Sequence, residues 1–268
     1  MELTIDYPIN PVPRWGYGKP PHPQLYGIIN KNRGIFEQNL MSFLKFKDNF
    51  HQISKNSPDE KSTEPNWINN FLPGLDSIAL YGFVSNLNSE KYVEIGSGNS
   101  TKFARKAIKD HNLKTKITSI DPYPRNDIDL ICDNSIRMPL EELDIGYFKK
   151  LKSGDLLFVD NSHRIFTNSD VSVVFLEILP ILSTGIYVQF HDIFLPYDYP
   201  PQWNSRYYSE QYILAAYLLA NGDLFEIVLP NSFISNDAVL SKIMMPIWAD
   251  PYFNGVETHG GSFWIKMK

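Results

Sequence analysis

Acids and imidazoles stand at the ends of four apolar runs in this sequence. Glu94 lies in Lys91-Tyr-Val-Glu-Ile-Gly-Ser-Gly-Asn-Ser-Thr101, and Asp121 closes Lys116-Ile-Thr-Ser-Ile-Asp121. Asp160 closes Gly154-Asp-Leu-Leu-Phe-Val-Asp160, and His191-Asp192 follow Ile186-Tyr-Val-Gln-Phe. The first run reads as a buried strand entering a glycine turn, where Gly96 and Gly98 let backbone approach a ligand that side chains would block. A dinucleotide fingerprint needs a third glycine and bare amides for a pyrophosphate. Here that glycine is missing and a carboxylate faces the turn, which repels phosphate and attracts an ammonium group. S-adenosylmethionine (SAM) carries an ammonium and no phosphate, so the turn favours SAM. Asp121 stands about 20 residues past the glycines, where an acid at the end of the second strand holds ribose hydroxyls.

Two chemistries suit the later strand ends. His191 or His163, from Asp160-Asn-Ser-His163, has the proton affinity of a general base for an acceptor hydroxyl. Alternatively, Asp160, His191 and Asp192 hold a divalent cation that favours the acceptor alkoxide; mixed imidazole and carboxylate ligands suit a transition metal. One histidine can also ligate while the other acts as base. His259-Gly-Gly261 reads equally as a substrate contact or a turn. His22, His51 and His111 read as ordinary packed or solvated side chains.

These residues need strands and helices that bring them together. The pattern predicts an extended proline-rich arm over residues 1–30, a helix over Ile35–Ile53 and a helix over Ser77–Asn86 capped by Asp76. Strand–helix alternation then begins at Tyr92. The helix after the glycine turn is capped by Asn99 or Ser100, a short helix covers Asn126–Asn134, and a weak third strand covers Ser135–Leu140. A helix over Asp170–Leu182, a helix over Tyr207–Ala220, a strand over Leu224–Leu229 and a last strand over Ser262–Met267 complete the pattern. Tyr207, Tyr208, Tyr212 and Tyr217 read as core. The pattern is that of an α/β fold, a doubly wound, mostly parallel sheet whose ligands lie beyond the carboxyl ends of the strands. Glu94, Asp121, Asp160 and His191 should therefore meet in one crevice.

Composition excludes several alternatives. The 268 residues carry a net charge of -5 with no basic stripe, which argues against nucleic-acid binding. One cysteine, Cys132, allows neither an internal disulfide nor a cysteine-based metal cluster, and fits a reducing cytoplasm. The longest apolar run, Val171–Leu182, is too short to span a bilayer, and the polar, proline-rich start is unlike a signal peptide.

The chain resembles class I SAM-dependent methyltransferases of the family-24-like group. The likeness rests on Tyr92–Thr101, Ser119-Ile-Asp-Pro122, Gly154–His163, Asn168-Ser-Asp-Val171 and His191–Pro196, with further familiar runs at Tyr197–Trp203 and Glu210–Leu214. The resemblance implies a Rossmann-like seven-stranded sheet with an antiparallel last strand and an N-terminal helical or extended cap. It divides the chain into residues 1–88 (arm and cap) and 89–268 (methyltransferase domain). It places Glu94, Gly96, Ser97 and Gly98 on the methionine side of SAM, Asp121 on the ribose and Glu141 near the adenine. Ser100, Thr101, Pro122 and Asp160 count with them on the cofactor side. The expected reaction is O-methylation of a hydroxylated small molecule or sugar, with catalysis assigned to His191, Asp160 and His163. Its acceptor pocket is expected from the Tyr197–Trp203 loop and the N-terminal arm. The aromatic cap covers either that pocket or a subunit interface. A SAM-binding protein without catalysis and an NAD-linked oxidoreductase are the alternatives.

Overall fold

A computed structural model describes residues 6–7, 9–57, 59, 62–124, 127–220 and 223–268. The elements follow in chain order. Helices α1 (Pro23–Asn30), α2 (Arg33–Phe43), α3 (Lys47–Phe50) and α4 (Gly74–Leu87) precede strand β1 (Lys91–Ile95). Helix α5 (Asn99–Asp110), β2 (Lys116–Ile120), β3 (Asn134–Ile136) and β4 (Leu156–Val159) come next. Then come α6 (Asp170–Val173), β5 (Tyr187–Phe190), α7 (Glu210–Leu219) and β6 (Phe225–Pro230). The chain ends with α8 (Asn231–Asn236), α9 (Met245–Trp248) and β7 (Phe263–Met267). The strands form one seven-stranded sheet in the order β3-β2-β1-β4-β5-β7-β6. β7 runs antiparallel between β5 and β6, and the other pairings are parallel. This is the α/β architecture expected from the sequence.

Register explains why distant residues meet. Ile95 lies opposite Ile120 and Val159, and Val159 lies opposite Phe190. The next residue on each strand, Gly96, Asp121, Asp160 and His191, therefore emerges along one sheet edge. The ladder ties these residues down directly. Gly96 donates its N–H to the Ile120 carbonyl (3.0 Å), Asp160 to that of Ile95 (2.8 Å) and His191 to that of Val159 (2.9 Å). The central strands are buried on both faces, as parallel sheets demand.

Several local expectations are corrected. Residues 23–30 are a helix and not an extended arm: Pro23 occupies its first turn, where the missing N–H costs nothing, and the His22 ring accepts from Leu25 N. Helix α4 starts at Gly74, so Asp76 lies inside it and caps nothing. Helix α5 begins at Asn99, with Gly98 at the cap position. The third strand is only Asn134–Ile136. The start of the short helix expected at Asn126 lies outside the described residues; beyond it, a 3₁₀ turn covers Asp129–Ile131. The 170–182 helix is continuous but irregular, with a π-helical stretch at Val174–Ile178 and a 3₁₀ turn at Leu179–Ile181, where Pro180 has no N–H to give. The tyrosine stripe is core only in part: Tyr217 packs against the core, whereas Tyr207 and Tyr212 are exposed.

The N-terminal helices share one apolar core with the sheet, running from Leu25 and Phe36 to Ile265. Helix α4 is apolar around nearly its whole circumference and fully enclosed from Gly74 to Val84, as expected of a helix packed on all sides. Helix α2 covers the outer strand β6. Its Asn32 and Asn39 side chains donate to the carbonyls of Ile227 (3.0 Å) and Val228 (2.9 Å), which blunts a free sheet edge.

The α2–α4 contact is close: a Cβ on Gly82 would lie 2.2 Å from the Phe43 ring, whereas a Cβ on Gly27 would meet nothing within 4 Å. Gly82→Ala should therefore destabilise the fold by about 1–3 kcal/mol through overpacking. Gly27→Ala should stabilise it by up to about 1 kcal/mol through helix propensity. Urea unfolding of both variants checks the pair, and equal effects would contradict the packing described.

Candidate active site

The cleft begins at the glycine turn. Gly96 has φ +76, and a Cβ there would lie 1.8 Å from the Asp160 carbonyl, so only glycine lets β1 turn against β4. Ser97 donates its backbone N–H to Asp121 Oδ2 (2.9 Å), and Asp121 Oδ1 receives the Tyr123 N–H (2.8 Å). A cavity of about 1010 Å³ opens over this turn, large enough for a cofactor and a second ligand together. Its near end is lined by Gly96, Ser97, Asp121, Pro122 and Glu141. Asp160, His163, His191 and Asp192 line its middle. Its far end is lined by Phe71, Trp203, Tyr208, Glu257 and His259.

Four expected cofactor residues, Glu94, Gly98, Ser100 and Thr101, do not line the cleft. Glu94 is fully buried, takes a hydrogen bond from Tyr92 Oη (3.0 Å) and another from Thr101 Oγ1, and does not line the cavity. The Thr101 hydroxyl in turn accepts the Gly98 N–H (3.1 Å). Ser100 and Thr101 are buried, and Gly98 is likewise absent from the lining. The carboxylate expected to face the ligand thus braces the turn from below. Burial pushes its proton affinity up to about 7, even though the hydroxyls of Ser100, Thr101 and Tyr92 pull the other way.

Beyond the turn, carboxylates and imidazoles alternate. His163 faces Glu210 Oε2 through Nδ1 (2.8 Å) and Asp160 Oδ1 through Nε2 (3.1 Å). With a carboxylate at each nitrogen, both nitrogens donate and the ring is an imidazolium. His191 is held more loosely. Its Nδ1 is 3.4 Å from Asp192 and 3.5 Å from Asp160, and its Nε2 is 3.6 Å from Asp76 Oδ2. That Nε2 is buried and makes no hydrogen bond among the described residues. Burial lowers the proton affinity of both rings, but the surrounding carboxylates outweigh it and raise both well above the usual histidine value. Asp160 shows the reverse balance: burial raises it, and His191 and His163 together hold it well below the carboxylate range. Burial leaves Asp192 raised. The Asp160 side chain keeps 42% exposure, against 5% for each imidazole, so it is the group most open to a ligand. His163 and Asp192 both have left-handed backbones (φ 58 and 55), a cost tolerated where surroundings over-determine the geometry.

Two members of this chain escaped the sequence reading. Asp76 on α4 is buried and accepts from Gly261 N (2.8 Å), Ser262 N (2.9 Å) and Asn231 Nδ2 (2.7 Å). Its signal was an acid within an otherwise apolar helix. Glu210, the first residue of α7, is fully buried against His163 and Asn161, although the sequence placed it only within the Glu210–Leu214 run and gave it no role. The far wall also differs from expectation. The loop after β5 contributes Phe194, Pro200, Gln202 and Trp203, but no described residue of the arm lines the cleft. Arg14 and Trp15 instead donate their N–H groups to Asp198, bracing the loop from behind. The N-terminal contribution to the wall comes from Asn70, Phe71, Pro73 and Asp76.

The metal expectation is not met. Among the described residues, no group of three or more His, Cys, Asp or Glu side chains is placed to hold a metal ion.

Comparison with known proteins is consistent with the cleft. Residues 93–193, which include the turn, Asp121, Asp160, His163 and His191, match a family described as a methyltransferase domain. Over those residues the chain carries a methyltransferase domain. No curated protein matches the chain. A Podospora anserina methyltransferase solved with S-adenosylhomocysteine is 16% identical, with 85% of this chain and 88% of that one covered at a TM-score of 0.42. A Bacillus cereus O-methyltransferase solved with the same product is 10% identical, with 91% and 98% covered at a TM-score of 0.39. Among the described residues of this methyltransferase, no helix is long and apolar enough to cross a membrane.

The buried Glu94 carries a pH signature. A carboxyl raised in the fold binds its proton more tightly there than in the unfolded chain. Its contribution is therefore intact below about pH 4.5, falls as pH rises, and is lost above about pH 7. Glu94→Gln should gain stability relative to wild type between pH 5 and pH 8, by on the order of 3 kcal/mol at most. Urea unfolding at the two pH values measures this, and an unchanged difference would show that Glu94 is not strained by burial.

Proposed function

We propose that this methyltransferase moves the methyl group of SAM to an oxygen of a hydroxylated small molecule or sugar, with His191 taking the acceptor proton. When bound, SAM supplies an electrophilic methyl on a sulfonium. On this reading Gly96 and Ser97 admit the methionine end, Asp121 holds the ribose and Glu141 lies by the adenine. Asp160, being open to the cleft, replaces the buried Glu94 as the partner of the ammonium group.

The observation that carries the assignment is the contrast between the two imidazoles. His163 is fixed between Glu210 and Asp160, both nitrogens engaged at hydrogen-bond distance. Among the described residues the His191 ring has no polar partner closer than 3.4 Å, with Nδ1 toward the cleft acids and Nε2 backed by Asp76. A base needs a nitrogen free to exchange a proton and an acid behind it to stabilise the cation that forms. His191 has both. It rests protonated among carboxylates and releases that proton to solvent as positive charge enters the cleft, since like charges oppose one another. The acceptor hydroxyl then gives its proton to Nδ1, while His163, held by Glu210, keeps the Asp160 carboxylate in place beside it. Much of the acceleration comes from holding oxygen and methyl in line. The aromatic far wall, Phe71, Trp203 and Tyr208, suits a ring or sugar face.

Calorimetry with SAM and S-adenosylhomocysteine, followed by a labelled-methyl screen of phenols and sugars, tests this. His191→Asn should bind S-adenosylhomocysteine within about three-fold of wild type and lose about 10²-fold or more in transfer. Transfer by wild type should rise with pH through a value above the ordinary histidine range, and the variant should lack that limb. Absence of cofactor binding, or full transfer by the variant, would overturn the proposal.

A further inference from the structure

A second cavity of about 330 Å³ lies on the other side of the segment that carries His259. His259 lines both cavities. So do the two sides of the α4 entrance: Pro73 and Asp76 face the cleft, and Leu75 faces the second cavity. The dividing segment is fixed to α4, with Gly74 N donating to the Glu257 carbonyl (2.7 Å) and Leu75 N to that of His259 (3.2 Å). His259 is itself 58% exposed, so it forms a low sill and not a sealed wall.

The lining is distinct from that of the cleft. Leu75, Ile234 and Met244 are buried beneath it, and Met245 and Trp248 flank it. Met245 is 48% exposed, an apolar side chain left in water that nothing in this chain covers among the described residues. Methionines accommodate irregular apolar shapes. The only fixed charge on the lining is the ammonium of Lys242, which forms no ion pair among the described residues. The cleft, by contrast, gathers carboxylates. An anionic group is therefore disfavoured near Asp160 and favoured at Lys242.

Resting on the O-methyltransferase reading above, we infer that this cavity is a distal subsite of the acceptor. It takes an apolar aryl or alkyl segment ending in a carboxylate or similar anion. The acceptor spans the His259 sill, with its hydroxyl at His191 and its anionic end at Lys242. Its chemical class is an amphiphilic hydroxy acid, which narrows the hydroxylated acceptors considered above.

The fluorescent dye 1-anilinonaphthalene-8-sulfonate combines an aryl body with an anion and serves as a probe. It should bind the wild-type protein, be displaced by decanoate and resist decylamine. Lys242→Glu reverses the charge, and Ser241→Phe fills the cavity from its half-buried rim. Each should weaken the dye about ten-fold or more while leaving S-adenosylhomocysteine binding within two-fold. Failure of the dye to bind wild type, affinity unchanged in both variants, or equal displacement by the amine would overturn the subsite. Loss of S-adenosylhomocysteine binding in wild type would instead strike the methyltransferase reading, and the dye measurements would still decide the cavity.

Discussion

The site depends on a run of alternating acids and imidazoles: Asp76, His191, Asp160, His163 and Glu210. Burying one such charge alone costs several kcal/mol, so each is tolerable only because its neighbour carries the opposite sign. The run joins α4, β5, β4 and α7, elements far apart in sequence. Electrostatic neutralisation and tertiary assembly are thus the same event. The loop geometry follows from this. The left-handed backbones at His163 and Asp192 persist because they deliver side chains into the run.

The two ends of the run are anchored differently. At one end Glu210 is held by Asn161 and His163, and the His163 carbonyl in turn receives the Ser209 N–H (2.8 Å) at the start of α7. At the other end Asp76 receives two backbone N–H groups just before β7. His191 lies between Asp76 and the more exposed Asp160, with slack on both sides. A tight support at one end and slack at the other separate a ring that holds position from one that can exchange a proton.

The sheet was legible in the sequence because its strands are short apolar runs stopped by glycine, proline or acid, and each reads locally. The convergence of Asp121, Asp160 and His191 followed from the rule for strand ends, and the register bears it out. The orientation of Glu94 did not follow. Whether a strand-end carboxylate points into a cleft or under a turn depends on nearby hydroxyls, here those of Thr101 and Tyr92, and those contacts are tertiary. Asp76 was misread for a similar reason. An acid near a helix start is normally a cap, and only the return of the chain at Gly261 supplies the donors that make it a buried partner. The helix at Pro23 was missed because a cluster of prolines hides the one position at which proline begins a helix.

The bond between Asp76 and the Gly261–Ser262 backbone joins residues 185 and 186 positions apart. During synthesis the strands that carry Asp121, Asp160 and His191 emerge well before that segment. The acid behind His191 therefore has no backbone donors until Gly261 and Ser262 have left the ribosome. A chain cut short before Gly261 would keep β1 to β5 but lose β7, which joins β6 to the sheet, and would leave Asp76 with the Asn231 amide as the one remaining hydrogen-bond donor of its three. That local conflict would mark the truncated product for unfolding and disposal before its cleft could act.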